Sequence, residues 1–344
     1  MTTNNDREDF AVRARDRLQV AGVPVTAGLL GARHAVLVDQ TEVRVELPGL
    51  RSDGSMDEDR LSMWSWREID GARVAEDYLI HAIDLSVEPA AKVNLPGAIT
   101  AVPPKATHLL ADDEKHLLDR VIADAHMQMI RALDIWLRMA RWKASDPFFG
   151  RGQPYAPGVR WSTRLADRFT GNDIWVATAT LVLPGYRPIS LETWDDIATA
   201  LSAAEEPPVA VDLLFDGIAE LRAGDVRRAL VDAAVAAETY IRNVINESLP
   251  QNLGEGTSRL LEELGINRAI DQKVYAEARA RVGLPPHQIA SEVKDLFKAR
   301  NQAVHRGKLS VTAAQCGEFL KAVEQLLVEG QLLRPIVSSY GHTG

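Results

Sequence analysis

HQIASEVKDLFKARNQAVHRG, residues 287 to 307, decides how the carboxy-terminal part of this chain is read. Ile289, Val293, Leu296 and Phe297 recur at helical spacing and mark one buried stripe. The next position on that stripe is Arg300, whose guanidinium keeps its charge and so needs an ion-pair partner, a cleft or an interface. Asn301 follows, His305 lies a little over one turn further on, and Gly307 is placed to end the helix. The same window is basic: Lys294, Lys298, Arg300, Arg306 and Lys308 face only Asp295.

The neighbouring segments repeat the helical pattern. DVRRALVDAAVAAETYIRNVINESL (225 to 249) begins at Asp225 as N-cap after Gly224 and sets Val226, Leu230, Ala233, Ala237, Tyr240, Ile241 and Val244 on one stripe. VDLLFDGIAELRAG (211 to 224), SRLLEELG (258 to 265) and VTAAQCGEFLKAVEQLLVEG (311 to 330) complete a predicted bundle of four or five helices joined by short links.

The first part of the chain reads differently. Arg7 to Leu18 alternates charge with Phe10, Val12 and Leu18 and is expected to form a short amphipathic helix that Gly22 and Pro24 stop. HAVLVD (34 to 39) and EVRVEL (42 to 47) alternate apolar and polar residues around a short polar link, the pattern of a β-hairpin, and YLIHAIDLSV (78 to 87) is a further strand. From Asp112 to Lys143, Leu117, Leu118, Val121, Ile122, Met127, Ile130, Leu133, Ile135, Trp136 and Met139 predict one long helix or two joined at a kink. VRWSTRLADRF and DIWVATATLVL flank a TGN turn as a second hairpin, and a Ser-led helix over 189 to 208 runs into a Pro pair. The expected architecture is an α+β domain with a mostly antiparallel sheet and a long helix over residues 1 to 207, then an all-α bundle over 208 to 344.

Composition narrows the classes of function. With 46% apolar and 25% charged residues in 344, the chain can bury two cores, so a disordered protein is not expected. From Val209 onward 16 Lys and Arg stand against 17 Asp and Glu, which leaves nearly all of the net −9 in the residues before it. That excess of acid argues against non-specific nucleic-acid binding by the molecule as a whole and suits a protein-facing role for the first part. A single cysteine, Cys316, excludes an intramolecular disulfide or thiolate cluster, and MTTNNDREDF lacks the apolar core of a signal peptide. No apolar run nears the roughly 20 residues of a membrane span, and a reducing, cytoplasmic setting is expected.

Against this background RNQAVH, residues 300 to 305, matches the Arg-Asn-x-x-x-His form of the Arg-x(4 to 6)-His motif of HEPN domains, in the expected late helix. GDVRRALVDAAVAAETYIRNVI (224 to 245) resembles the long early helix of Apea-like members, with Glu238 at an acidic position that often accompanies the motif. Two looser pairs, Arg120 with His126 and Arg281 with His287, lack the Asn; His126 lies in the long helix of the other domain, and His287 follows two prolines. The resemblance implies a metal-independent RNA endonuclease, toxin-like or a defence effector, that works as a homodimer through its bundle and uses no cofactor. The first domain would then sense a trigger, restrain the nuclease or recruit substrate, with a regulatory protein as a further partner.

The residues suit that chemistry. Cleaving RNA without metal takes a base for the 2′-hydroxyl, an acid for the 5′-oxygen, and positive charge on the phosphorane. His305 can be base or acid, Arg300 can grip phosphate oxygens, and Asn301 can orient the phosphate or the imidazole. Glu238 is expected to pair with Arg300 or to orient His305, while Lys298, Arg306 and Lys308 are the candidate RNA backbone contacts. Other readings stay open at this point: Arg300 as a structural partner of Glu238, His305 as a cation favoured by the helix dipole, and the whole bundle as a non-catalytic dimerisation or binding module for a protein or nucleotide.

Elsewhere the residues carry less. Asp112, His116, Asp119 and His126 do not have metal-ligand spacing and read as a solvated helix face. Trp64 with Trp66, and Trp136 with Trp142, read as core or rim aromatics, and GRGQPYAPG lacks the Lys-Ser/Thr ending of a phosphate loop.

Overall fold

The computed structural model describes residues 7–69, 72–96, 111–149, 151, 160–166, 173–180, 188–249, 272–306 and 310–336. The chain divides into two compact units, Met1–Ala140 with Pro188–Glu205, and Arg141–Arg187 with Glu206–Gly344. Among the described residues no helix is long and apolar enough to cross a membrane.

The first unit is a five-stranded antiparallel sheet with helices. Its spine is β5 (Ala72–Pro96), 25 residues long. On one side β5 pairs with β1 (Arg7–Thr26) from Arg7↔Pro96 to Thr26↔Asp77. On the other it pairs first with β4 (Leu61–Ile69) and then with β3 (Thr41–Glu46), which carries β2 (Arg33–Val38) at the edge. The β2–β3 hairpin is as the alternation predicts: His34, Val36 and Val38 point inward, and Asp39 and Gln40 close the turn with φ of 46° and 69°.

The amino-terminal helix is not formed; those residues are the start of β1. Arg13, Arg15 and Arg17 are exposed while Ala14, Asp16 and Leu18 between them are half-buried, which is a period of two. Pairing with β5 also supplies charge partners, Glu88 for Arg13 and Asp84 for Arg17 at 2.9 Å, with Arg60 on the same Asp84. Gly22, at φ 88°, does not stop a helix but sits where the β1–β5 register shifts between Gln19 and Val23.

Helix α1 (Asp112–Ala144) is one continuous helix, with Asp112, Asp113 and Glu114 in its first turn and Arg141 and Lys143 in its last, each matched to the dipole. Its buried face shares Leu133, Trp136 and Met139 with the predicted stripe and otherwise differs from it. Ala125, Met129, Ala132, Trp136, Met139 and Ala140 are buried, whereas Ile122, Met127 and Ile130 are exposed. Helix α2 (Leu191–Ser202) starts at Ser190, whose hydroxyl accepts from Thr193 N. Just before it, Ile189 exchanges backbone hydrogen bonds with Thr26 and Pro24 at the edge of β1. Trp194 of α2 stacks on buried His34 at 3.6 Å, and Trp136 Nε1 donates to His34 Nδ1 at 2.9 Å, so the imidazole is neutral. Burial lowers the pKa of His34 to about 4.

The second unit holds a hairpin, β6 (Arg160–Ala166) with β7 (Asp173–Thr180), and five helices: α3 (Val209–Arg222), α4 (Val226–Ser248), α5 (Gln272–Arg281), α6 (Ser291–His305) and α7 (Ala313–Glu329). The predicted TGN turn and the SRLLEELG helix fall outside the described residues. Helix α4 is central and packs against α3, α5, α6 and α7. Its buried face carries Ala229, Ala233, Ala234, Ala236 and Ala237, small residues that let neighbouring backbones approach. A Cβ on Gly217 of α3 would meet Leu320 at 3.0 Å and Ala229 O at 3.2 Å, which shows how close the packing is. Cys316 is fully buried in α7, and Thr312 and Gln315 form a reciprocal capping box at the start of that helix.

Residues 141–151 contribute to this second core. Phe148 joins the helical cluster, Arg222 lies over its ring at 3.9 Å, Arg151 pairs with Asp216, and Trp142 Nε1 donates to Leu332 O at 2.9 Å. Asp146 is buried beside them, with one carboxylate oxygen accepting from Phe148 N and the other without a partner. Burial raises its pKa to about 6.

Candidate functional site

The site is built where α6 crosses α4. Val293, Leu296 and Ala303 anchor α6 in the core, and the helix closes at His305 with Arg306 as its C-cap, bonded through its N–H to Gln302 O at 3.1 Å. Arg300 stands at the rim of the buried stripe, its side chain 30% exposed, and the stripe itself runs on to Ala303.

Two polar groups meet Arg300. Its Nη2 lies 4.0 Å from Glu238 Oε2 of α4, and its Nη1 donates to Asn301 Oδ1 at 3.1 Å. The other oxygen of Glu238 accepts from Arg242 Nη2 at 2.7 Å, one turn along α4. Arg300 Nε is buried and has no acceptor, a donor whose desolvation costs about 1–3 kcal/mol while it stays unmade.

His305 is placed apart from this group. Five residues separate it from Arg300, about 140° around the helix and about 7.5 Å along it. Its imidazole is exposed and among the described residues has no hydrogen-bond or ion-pair partner, so Glu238 faces Arg300 and does not orient His305. Asn301, one turn before His305 on the same exposed face, is the residue shared between the two directions.

Of the basic residues expected to touch RNA, Lys298 is exposed and pairs with Asp295 at 2.8 Å, and Arg306 is exposed at the helix end. Lys308 and Gly307 lie outside the described residues. Ser310 donates to Gln302 at 3.3 Å and ties the chain beyond α6 back to it. The looser pair Arg120 and His126 is engaged elsewhere: His126 Nδ1 is 2.7 Å from Asp16, and Arg120 bonds to His116 O.

Arg242 was not among the residues picked out from sequence. Its signal is the Glu-x-x-x-Arg spacing of Glu238 and Arg242, which places both on one helix face. Among the described residues no group of three or more His, Cys, Asp or Glu side chains is arranged to hold a metal ion. Compared with models of protein families, with curated proteins and with solved structures, the chain matches none.

Proposed function

We propose that the helical unit is a metal-independent RNA endonuclease of HEPN type, a toxin-like or defence effector that acts in the cytoplasm as a homodimer and is regulated through the first unit. The observation that supports this most is the last turn of α6: Asn301 and His305 face solvent together, and Asn301 also accepts a hydrogen bond from Arg300, which lies against Glu238.

In this reading an imidazole takes the 2′-hydroxyl proton, the 2′-oxygen attacks phosphorus, and the bond to the 5′-oxygen breaks as that oxygen receives a proton. Products are a 2′,3′-cyclic phosphate and a 5′-hydroxyl. Arg300 neutralises the charge that builds on the phosphorane, and Asn301 positions it. Within one chain Arg300 and His305 point in directions about 140° apart. A second copy across a shared cleft supplies the missing direction and gives acid and base from two copies of His305.

The test is cleavage of single-stranded RNA by purified protein in EDTA. Cutting by the parent that leaves cyclic phosphate ends, together with its loss in His305→Ala of unchanged circular dichroism, is the expected result. Equal cutting by the variant removes His305 from the mechanism. The half-buried Arg300–Glu238 contact also favours a second reading, a bundle that binds a partner protein or nucleotide without chemistry, which predicts no cleavage by either protein.

A further inference from the structure

We infer that the free edge of β2 is a docking surface for a second copy of this chain, the two β2 strands pairing antiparallel about Ala35 so that the sheets of both copies join into one. This interface belongs to the first unit and rests neither on the RNA reading nor on the pairing proposed for the bundle.

The hairpin fixes which backbone groups are free. Its two-residue turn at Asp39 and Gln40 makes Val38 and Thr41 a hydrogen-bonded pair, so His34, Val36 and Val38 direct their N–H and C=O groups to β3. Those of Arg33, Ala35 and Leu37 point the other way, where β2 is the last strand of the sheet, and among the described residues no backbone group meets them. The side chains at these positions are open too: Arg33 and Ala35 are exposed, and Leu37 is 63% exposed. Trp194 of α2 covers the strand from its inner face, stacked on His34.

Sheets that stay monomeric guard their edges with bulges, prolines or repeated charge. The strands that flank β5 follow that rule, since β1 and β4 each pair with it through register shifts and β1 carries Arg13, Arg15 and Arg17. Strand β2 pairs without a shift, contains no proline and has one fixed charge, Arg33, at its end.

The strand is also complementary to itself. About a two-fold axis at Ala35, Arg33 faces Leu37 of the second copy, and opposite that leucine in its own hairpin stands Glu42. Two strand spacings, about 9.6 Å, lie within the joint reach of an arginine and a glutamate. Arg33 and Glu42 make no ion pair among the described residues. Across the axis each meets the opposite charge, once on either side of Ala35, while the arginine stem covers the exposed leucine. A register slipped by two residues would set Arg33 against Ala35 and so beside Arg44 of the second copy, because Ala35 lies opposite Arg44. Charge therefore selects one register out of those the backbone allows.

The test is sedimentation velocity of the full chain over a wide range of concentration, because a strip this short is small for an interface and the association is weak. The parent's mass should rise with concentration. Arg33→Glu or Glu42→Arg alone puts like charges in both rows and should weaken association about tenfold. An equal mixture of the two variants should associate as the parent does, since each row then joins opposite charges again, and a misfolded variant could not be rescued by mixing. Ala35→Cys, on the axis and about 5.5 Å from its counterpart, should give a reducible dimer on mild oxidation, Cys316 being buried.

Single variants that sediment like the parent overturn the inference, and so does a mixture no better associated than its components. A folded Ala35→Cys protein that forms no disulfide-linked dimer does the same. A dimer made through the bundle would persist in every sample, so a mass that neither substitution nor mixing alters removes the β2 pairing and leaves the bundle. Failure to cut RNA leaves the β2 pairing untouched.

Discussion

The guanidinium of Arg279 donates to Tyr240 Oη at 2.8 Å, and with that bond α5 is fastened to the central helix of the second unit. Arg279 is fully buried, yet none of its hydrogen-bond acceptors is a carboxylate: Pro285 O at 2.9 Å, Tyr275 Oη at 3.2 Å and Glu329 O at 2.8 Å take its other donors. Glu329 is the last residue of α7, so its carbonyl lies at the negative end of a helix dipole and offsets part of the buried charge. Burial pushes both phenols to higher pKa and keeps them neutral.

Arg279→Leu therefore removes four hydrogen bonds and leaves the Pro285 and Glu329 carbonyls without this donor, and the expected cost is about 3 kcal/mol or more. Arg279→Lys recovers little, because one ammonium cannot reach acceptors spread around a planar fork. Urea midpoints at constant slope check this, and a midpoint within about 1 kcal/mol of the parent would contradict the clamp.

Gly330, the residue after α7, is locked by the same clamp. A Cβ there would come within 2.5 Å of Tyr240 Cε2 and Cζ, and Tyr240 cannot withdraw without breaking its bond to Arg279. Gly330→Ala should cost about 1–3 kcal/mol by overpacking, although its φ of −84° suits any residue. Gly224→Ala meets open space but must adopt φ 89°, so it should cost about 1–2 kcal/mol through backbone strain alone. Thermal melts of Gly330→Ala combined with Tyr240→Leu separate the cases: the Gly330 penalty shrinks when the ring is removed, and the Gly224 penalty does not.

Acid should act oppositely on the two units. His34 has its folded pKa lowered from 6.5 to about 4, so its contribution is complete above about pH 6.5 and is lost as pH falls toward 4. Asp146 has its folded pKa raised from 3.8 to about 6, so its contribution is complete below about pH 4 and is lost as pH rises toward 6. Each slope is on the order of 1 kcal/mol per pH unit inside its window. Hydrogen exchange of α1 and α4 peptides at pH 5 and pH 7, corrected for intrinsic rates, reads the units separately. His34→Phe should flatten the first response and Asp146→Asn the second; parent-like pH dependence in either variant sinks that assignment.

What the sequence discloses depends on where the relevant partner lies. The β2–β3 hairpin was legible because alternation and a two-residue turn are both local to residues 33–46. Strand β1 was not, since its pairing with β5 joins Arg7 to Pro96, and three arginines spaced by two also fit a helical charge pattern over so short a stretch. The length of α1 was legible, but its buried face only in part: Leu133, Trp136 and Met139 of the expected stripe are buried, and the rest of that face is not the one the stripe marked. Ala125, Ala132 and Ala140 carry little hydropathy signal, and their burial reflects close approach rather than apolar bulk. Helix α5 escaped for a related reason: QKVYAEARAR reads as a polar run, and nothing in it announces that Arg279 is fully buried. At the candidate site Arg300, Asn301 and His305 stand out as a compact motif, while Arg242 reads as half of an ordinary surface pair until α6 is laid across it.

The path of the chain has an evolutionary consequence. It leaves the sheet-bearing unit after Ala140, runs through the helical unit to Arg187, returns for Pro188–Glu205 and then leaves for good. A recombination joining residues 206–344 to some other upstream gene would strip Phe148 from the helical core and Arg151 from Asp216. A fragment ending at residue 140 would lose the Trp194 stack on His34. Neither half can be inherited through a single crossover, so the two have to be transmitted and to diverge together.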